Sequence, residues 1–510
     1  MKLYIFLSTV VLLVLAEGTG AWTKHMLGID RAGFNAPLGF AVMLSACQLF
    51  YYPAQIFNFS FRYIIIVTVI VLLLCVVLVF FDLDDIRRSL FRSESLVVLA
   101  AGILFIVLCQ RQGVVSISSK MPSLSMTVSA MKMPRFQGYF QFSLAWAWLQ
   151  NLPYHFFSAN PILIGSAEIY GLGMLYILIS SMLVVDIVRR LSLRNHWFEF
   201  ALGVYLLMNG NYTAWSLGTA WLGLSWSFLF ITLSVSLGYR YVKEENEMIK
   251  YLLLPVFAAG LACDNSFGLA GVAVLYGFMV YLFSIRKIRS LFDLFTLLIP
   301  HVLYAAAVFG TQYPLSWIIV LLYAWFCVRR YKKPLRRWIT RAEEFCFDYY
   351  KEIFLIAVPV VCAAASIVIG FLRGWQGITS YAYYFSDFTE IDGMRDYLFI
   401  HSDVLDMIIN LFRWGGLVCL IWLAKEPCDR ALRILLLTNL IVFINPLCTP
   451  AIAYMTGPQF IHIYNVLFNP FTEAILFLFI YRMFQWTVIG QWVLEITLCL
   501  GALIGVFGIL

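Results

Sequence analysis

Between Arg373 and Asp403 the chain reads RGWQGITSYAYYFSDFTEIDGMRDYLFIHSD, a stretch dense in acids and aromatic rings. The acids are Asp387, Glu390, Asp392, Asp396 and Asp403; the rings include Trp375, Tyr383 and Tyr384; Arg373, Arg395 and His401 add basic groups. A carboxylate can accept hydrogen bonds from sugar hydroxyls, take a proton as general base, or hold a divalent cation. Flat aromatic faces offer apolar platforms for sugar rings. The combination suits a carbohydrate site. Asp387, Glu390, Asp392 and Asp396 are then the candidate catalytic groups, and Arg373, Trp375, Tyr383, Tyr384 and Arg395 the candidate substrate contacts. The same composition also suits a solvated loop edged by interfacial aromatics.

A second set of candidates consists of ionisable residues inside apolar runs, where a charge is costly and marks function by default. Glu168, Asp264, His301, Arg413 and Glu473 are of this kind. Glu168 joins the catalytic candidates. Arg413 and Glu473, each deep in its own run, are expected to pair, which lowers the cost of both. Such a pair is either a structural clamp or a charged site for an anionic substrate. No G-x-x-x-x-G-K-[ST], G-x-S-x-G or H-E-x-x-H motif occurs, and the 11 cysteines form no C-x-x-C pair. Most of them sit in apolar runs as small hydrophobes, among them Cys75, Cys362 and Cys499. No cofactor follows from the motifs beyond that divalent cation.

The elements that must carry these residues follow from polarity. Of 510 residues, 62% are hydrophobic and 12% charged, and mean hydropathy is +0.86. A soluble domain carries about 25% charged residues, and this chain has too few polar groups to cover a water-facing surface of its size. Lipid removes that difficulty. Long runs such as Ile64–Phe81 lack the period-2 alternation of barrel strands, so the spans are helices, whose backbone bonds are internally satisfied. The expected fold is an all-α polytopic transmembrane bundle of about 14–16 spans at ~20 apolar residues each. Three parts are expected: N-terminal helices over 1–95, a core over 96–352 with an outer loop at 110–160, and C-terminal helices over 353–510 with an outer loop at 373–403.

The net charge of +7 comes from short basic clusters between apolar runs, which fits the positive-inside rule and not a nucleic-acid partner. Clusters lie at 189–194, 240–250, 286–289, 329–341 and 425–433. Two apolar runs separate each neighbouring pair, so all five fall on the cytoplasmic side. The pattern also places Asp84–Arg92 and the segment Glu17–Gly33 inside, and makes Leu3–Ala16 a first span that is not cleaved. Both long polar segments then face outward. Gln110–Asn160 carries Arg111, Lys120, Lys132, Arg135 and His155 but no acid, and its middle reads as an amphipathic interfacial helix ended near Pro153.

This layout resembles the C-type glycosyltransferase superfamily, multi-pass enzymes that move a sugar from a lipid-phosphate donor at the outer face. A closer similarity, to a bacterial family of glycosyltransferase-like membrane proteins common in Gram-positive bacteria, rests on three stretches: APLGFAVMLSACQLFYY (Ala36–Tyr52), NYTAWSLGTAWLG (Asn211–Gly223) and INPLCTPAIAYMTGPQFIHIYNVLFNP (Ile444–Pro470). The resemblance implies a glycosyltransferase of the cell membrane, acting on surface glycan or glycolipid, with membrane lipid and a polyprenyl-phosphate sugar as partners. It departs at one point. The superfamily's first core loop usually carries an acid, and this chain has none between Glu94 and Glu168. Either the loop at 373–403 or Glu168 replaces it, or the chain is no catalyst. A transporter or flippase for a lipid-linked or anionic compound, and a non-catalytic assembly protein, are the other readings. Nothing in the sequence sets the oligomeric state.

Overall fold

The computed structural model describes residues 2–29, 35–56, 59, 61–81, 83–90, 161–191, 195–208, 224–264, 267–285, 296–310, 316–329, 333–373, 404–445, 447–456, 463–484 and 487–507. Among these residues every regular element is a helix, as expected of an all-α chain. The helices are α1 (Lys2–Met26), α2 (Asn35–Ile56), α3 (Phe61–Phe81), α4 (Leu83–Leu90), α5 (Pro161–Arg190), α6 (His196–Met208) and α7 (Leu224–Glu244). They continue with α8 (Glu247–Tyr251), α9 (Leu253–Cys263), α10 (Phe267–Ser284), α11 (Ile299–Gly310), α12 (Ser316–Arg329), α13 (Lys333–Asp348) and α14 (Val358–Arg373). The last are α15 (Val404–Leu423), α16 (Pro427–Thr438), α17 (Thr449–Thr456), α18 (Tyr464–Leu467), α19 (Pro470–Met483) and α20 (Val488–Phe507). Single π-helical turns, Glu352–Ala357 and Asn439–Phe443, lead into α14 and out of α16.

One contiguous core draws on residues from Leu13 to Leu498. At its centre stands α7, which touches α5, α9, α10, α16 and α19. Its side chains from Leu229 to Gly238 are all buried, as in a helix that is apolar all round. The hydroxyls of Thr232 and Ser234 are satisfied within the helix, donating to the carbonyls of Phe228 (3.1 Å) and Phe230 (2.7 Å). Small residues set the closest approaches. A Cβ on Gly39 of α2 would lie 1.7 Å from the carbonyl oxygen of Ala16 in α1, and one on Gly20 would lie 1.9 Å from that of Asn35. These two helices therefore cross backbone to backbone.

Three elements differ from the sequence reading. The first apolar run does not stop at Ala16: α1 continues through Glu17 and Lys24, both buried. Glu17 is tolerated there because Asn35 donates an amide hydrogen to it at 2.8 Å. The basic stretch 329–341 is largely helix, the end of α12 and the start of α13. The run Val466–Tyr481 is broken at Phe468–Asn469, where Asn469 caps α19 with its side chain (3.1 Å to the Thr472 N–H) and Pro470 occupies the first turn.

Described residues of the basic stretches 189–194, 240–250 and 425–433 gather at one end of the bundle. Arg190 pairs with Asp186 at 2.7 Å and reaches Glu244 at 3.7 Å. Tyr239 donates to Asp429 at 2.9 Å. Phe283, near the end of α10, packs against Phe347 of α13, with rings 5.2 Å apart. Lys24 lies close to Asp186, Arg190 and Arg240. The starts of α5 and α15 and the end of α14 are at the opposite end. Large apolar side chains are exposed along α3, α14, α15 and α20, up to 81% at Leu372 and 83% at Trp422. Two helical stretches, Phe267–Ser284 and Glu352–Leu372, are long and apolar enough to cross a membrane.

Candidate functional site

The buried charges meet where α6, α15 and α19 converge. Arg413 sits in the middle of α15, nine residues from Val404 and ten from Leu423, or about 14 Å from either helix end at 1.5 Å per residue. Glu473 lies in the first turn of α19, placed there by the Asn469–Pro470 break. The guanidinium Nη2 and the carboxylate Oε1 are 2.9 Å apart, with the two side chains 6% and 0% exposed. The expected pairing of Arg413 with Glu473 is therefore present.

Both partners are held by neighbours that the sequence did not single out. The Arg413 Nη1 donates to Asn410 Oδ1 at 2.9 Å, and Nη2 also donates to the Tyr205 hydroxyl at 3.2 Å. Tyr205 in turn donates to Glu473 Oε2 at 3.3 Å, closing a triangle. The Phe477 ring stands edge-on to Tyr205 at 5.4 Å, and the Phe468 ring lies 5.8 Å from the guanidinium carbon. Asn410 precedes Arg413 by one helical turn, which is the one local signal for it. Tyr205 is separated from both charges by two hundred residues or more of chain, and no spacing points to it. Chemically this is a charge-balanced cluster in which Nη1 and Nη2 of Arg413 are both engaged. Its cation already serves an internal carboxylate, a tyrosine and an asparagine.

Other expected site residues are distributed as follows. Glu168 lies on α5, 22 residues before Arg190 and so about 33 Å from the basic end of that helix; its side chain is outside the described residues. Arg373 is the last residue of α14, and its side chain is likewise outside them. Trp375, Tyr383, Tyr384, Asp387, Glu390, Asp392, Arg395 and Asp396 all lie outside the described residues. The backbone of Glu168, of Arg373 at the end of α14 and of Val404 at the start of α15 lies away from the end where Arg190 meets Glu244. Asp264 follows α9 in extended conformation and links it to α10, its carbonyl accepting from the Phe267 N–H at 3.2 Å. The His301 ring packs edge-on to Phe257 at 5.4 Å and close to Gly271.

A second polar group, at the basic end, was not read from the sequence. Glu426, Cys428 and Asp429 place one ligand atom each within 4.8 Å of one another, a grouping with metal-compatible atoms. Burial pushes the Asp429 carboxyl above its ordinary range, against the hydrogen bond from Tyr239, and Glu426 adds to the rise. The Cys428 thiol, also raised by burial, donates to Glu426 at 3.6 Å. Burial thus favours the protonated form of both groups, and the trio is bonded internally through the Cys428 thiol and the Tyr239 hydroxyl.

A cavity of about 20 Å³, room for one water, lies between α5, α6, α7 and α19, lined in part by Tyr176, Ser180, Thr232 and Pro470. No family model, curated protein or solved structure matches the chain.

Proposed function

We propose that the chain is a polytopic membrane protein of the cell membrane that transfers a sugar from a lipid-phosphate donor at its outer face. The membrane part is supported by how charge and apolar surface are distributed. Apolar side chains cover the outward faces of α3, α14, α15 and α20, in a quantity that soluble monomers do not expose. The stretch Glu352–Leu372 has 21 residues, or about 31 Å, the thickness of a hydrocarbon core. The basic residues gather at one end, which we assign to the cytoplasm.

The observation that carries the choice of site is the closure of the Arg413–Glu473 cluster. An intramembrane arginine beside a helix N-terminus is the kind of feature that would receive an anionic cargo. Here Glu473, Tyr205 and Asn410 occupy it, so the pair acts as a clamp between α15 and α19, and the transporter reading keeps only the broken apolar runs near Asp264 and Pro446. We assign the chemistry to the acids of the segment that joins α14 to α15, Asp387, Glu390, Asp392 and Asp396, with Glu168 as a further candidate. Arg373, Trp375, Tyr383, Tyr384 and Arg395 bind the sugar or its phosphate, and a divalent cation can join the carboxylates.

The test is sugar transfer from a polyprenyl-phosphate donor by purified protein in vesicles. Single Asp387→Asn, Glu390→Gln, Asp392→Asn and Asp396→Asn variants should include at least one that loses about 100-fold or more in rate, the scale of a general base. Full activity in all four would remove the site. Net movement of lipid-linked sugar across the vesicle with no transfer would restore the transporter reading.

A further inference from the structure

The two π-helical turns among the described residues, Glu352–Ala357 and Asn439–Phe443, meet at one side chain. The ring of Tyr276 on α10 stands edge-on to Phe354 of the first turn at 5.5 Å and to Phe443 of the second at 5.7 Å. Its hydroxyl donates to the carbonyl of Phe354. The sequence leaves that carbonyl without a helical donor. The Val358 N–H goes five residues back to Ile353, and in the same register the donor to Phe354 would be Pro359, which has no N–H. Phe354 also packs on Phe283, on the same face of α10 as Tyr276, with rings 5.3 Å apart.

Beyond these turns lie α14 and α17, which are joined to each other. Cys448 Sγ, just before α17, donates to the Pro359 carbonyl at 3.3 Å, and the Ala451 N–H donates to Ser366 Oγ at 3.0 Å. The main contacts of α14 are with α17 and the two turns, and those of α17 are with α14. From Val358 to Leu372 only Ser366 and Gly370 are buried. We propose that α14 and α17 form one unit that rocks against the bundle, with the two π-helical turns as hinges and Tyr276 as the latch where they meet. Helices bend at π-helical turns and at proline, and hinges are a few residues at element ends that absorb the backbone change. The inference stands on packing alone and goes beyond sugar transfer. Because α14 ends at Arg373, the motion carries the start of the segment to which the chemistry is assigned.

Pulsed electron spin resonance on the full chain in detergent tests this. The 11 native cysteines are replaced, with Cys448→Ser keeping a donor to Pro359. One nitroxide pair, Leu372→Cys with Val418→Cys, spans α14 and α15; a second, Leu372→Cys with Leu447→Cys, lies within the unit, and all three side chains are exposed. The first pair should show two distance populations and the second pair one. Tyr276→Phe keeps the ring and removes the hydroxyl, and should shift the ratio of the two populations about fivefold, the weight of one hydrogen bond. Pro359→Ala restores an N–H and should leave one population in the first pair. One narrow population in the first pair, unchanged by Tyr276→Phe, would overturn the proposal. Two populations in the second pair would mean that α14 moves without α17, and would overturn it too. Neither readout involves sugar transfer, so a chain that rocks but transfers no sugar would overturn the transferase reading alone.

Discussion

Arg413 engages Glu473, Asn410 and Tyr205 in a site where both charged side chains are buried. Removing one partner of a buried ion pair leaves the other charge uncompensated and costs about 3–5 kcal/mol, whereas replacing both with apolar groups is often close to neutral. Glu473→Gln is therefore expected to lower the unfolding temperature in detergent sharply. Arg413→Met combined with Glu473→Leu should recover most of the loss, and sugar transfer should survive in the double variant because the pair is a clamp. A double variant that folds well but transfers no sugar would move the pair into the active machinery. This pair was legible in the sequence because two charges stand out in apolar runs. Tyr205 and Asn410 were not, since tyrosine and asparagine are unremarkable in a span and only the fold brings Tyr205 across from α6.

At the scale of elements, helix identity was readable and helix ends were not. The apolar runs Phe61–Phe81 and Phe267–Phe283 became α3 and α10 almost residue for residue. By contrast, Glu17 looked like the end of a span, yet α1 continues for nine more residues to Met26 because Asn35, on the next helix, satisfies the carboxylate. Tertiary partners of this kind leave no local trace. The crossing of α1 and α2 gives a sharp prediction. Alanine at Gly39 would put a Cβ 1.7 Å from the Ala16 carbonyl oxygen, an atom of backbone that cannot swing aside, while Gly415 has no atom within 4 Å of its Cβ position. Replacing a helical glycine by alanine otherwise gains roughly 0.5–1 kcal/mol. Gly415→Ala is thus expected to be neutral or mildly stabilising, and Gly39→Ala to separate the helices and cost more than about 1–3 kcal/mol, the usual range for overpacking. Size-exclusion profiles and unfolding temperatures of the two variants would show the contrast; equal behaviour would mean that α1 and α2 are not in backbone contact.

At the scale of the whole molecule, the placement of charge was the most legible property, because it depends on counting and not on packing. Every basic cluster was separated from the next by two apolar runs, and three contacts join helix ends near these clusters: Arg190 with Glu244, Tyr239 with Asp429, and Phe283 with Phe347. The acidic segment 374–403 leaves from the end of α14 and returns at the start of α15, both at the other end. If lipid fills the space along α3, α14 and α20, these two ends are in different compartments. Cysteines introduced singly into a cysteine-free chain at Lys243, Arg430 and Thr379 test this with a membrane-impermeant maleimide on sealed cells. Thr379→Cys should react in intact cells, and Lys243→Cys and Arg430→Cys only after the membrane is opened. The opposite labelling would keep the bundle but invert it, placing the acids where no lipid-linked donor of the outer leaflet can reach them. Equal labelling of all three in intact cells would mean that no bilayer separates the ends, and the apolar faces would then require a protein cover instead of lipid.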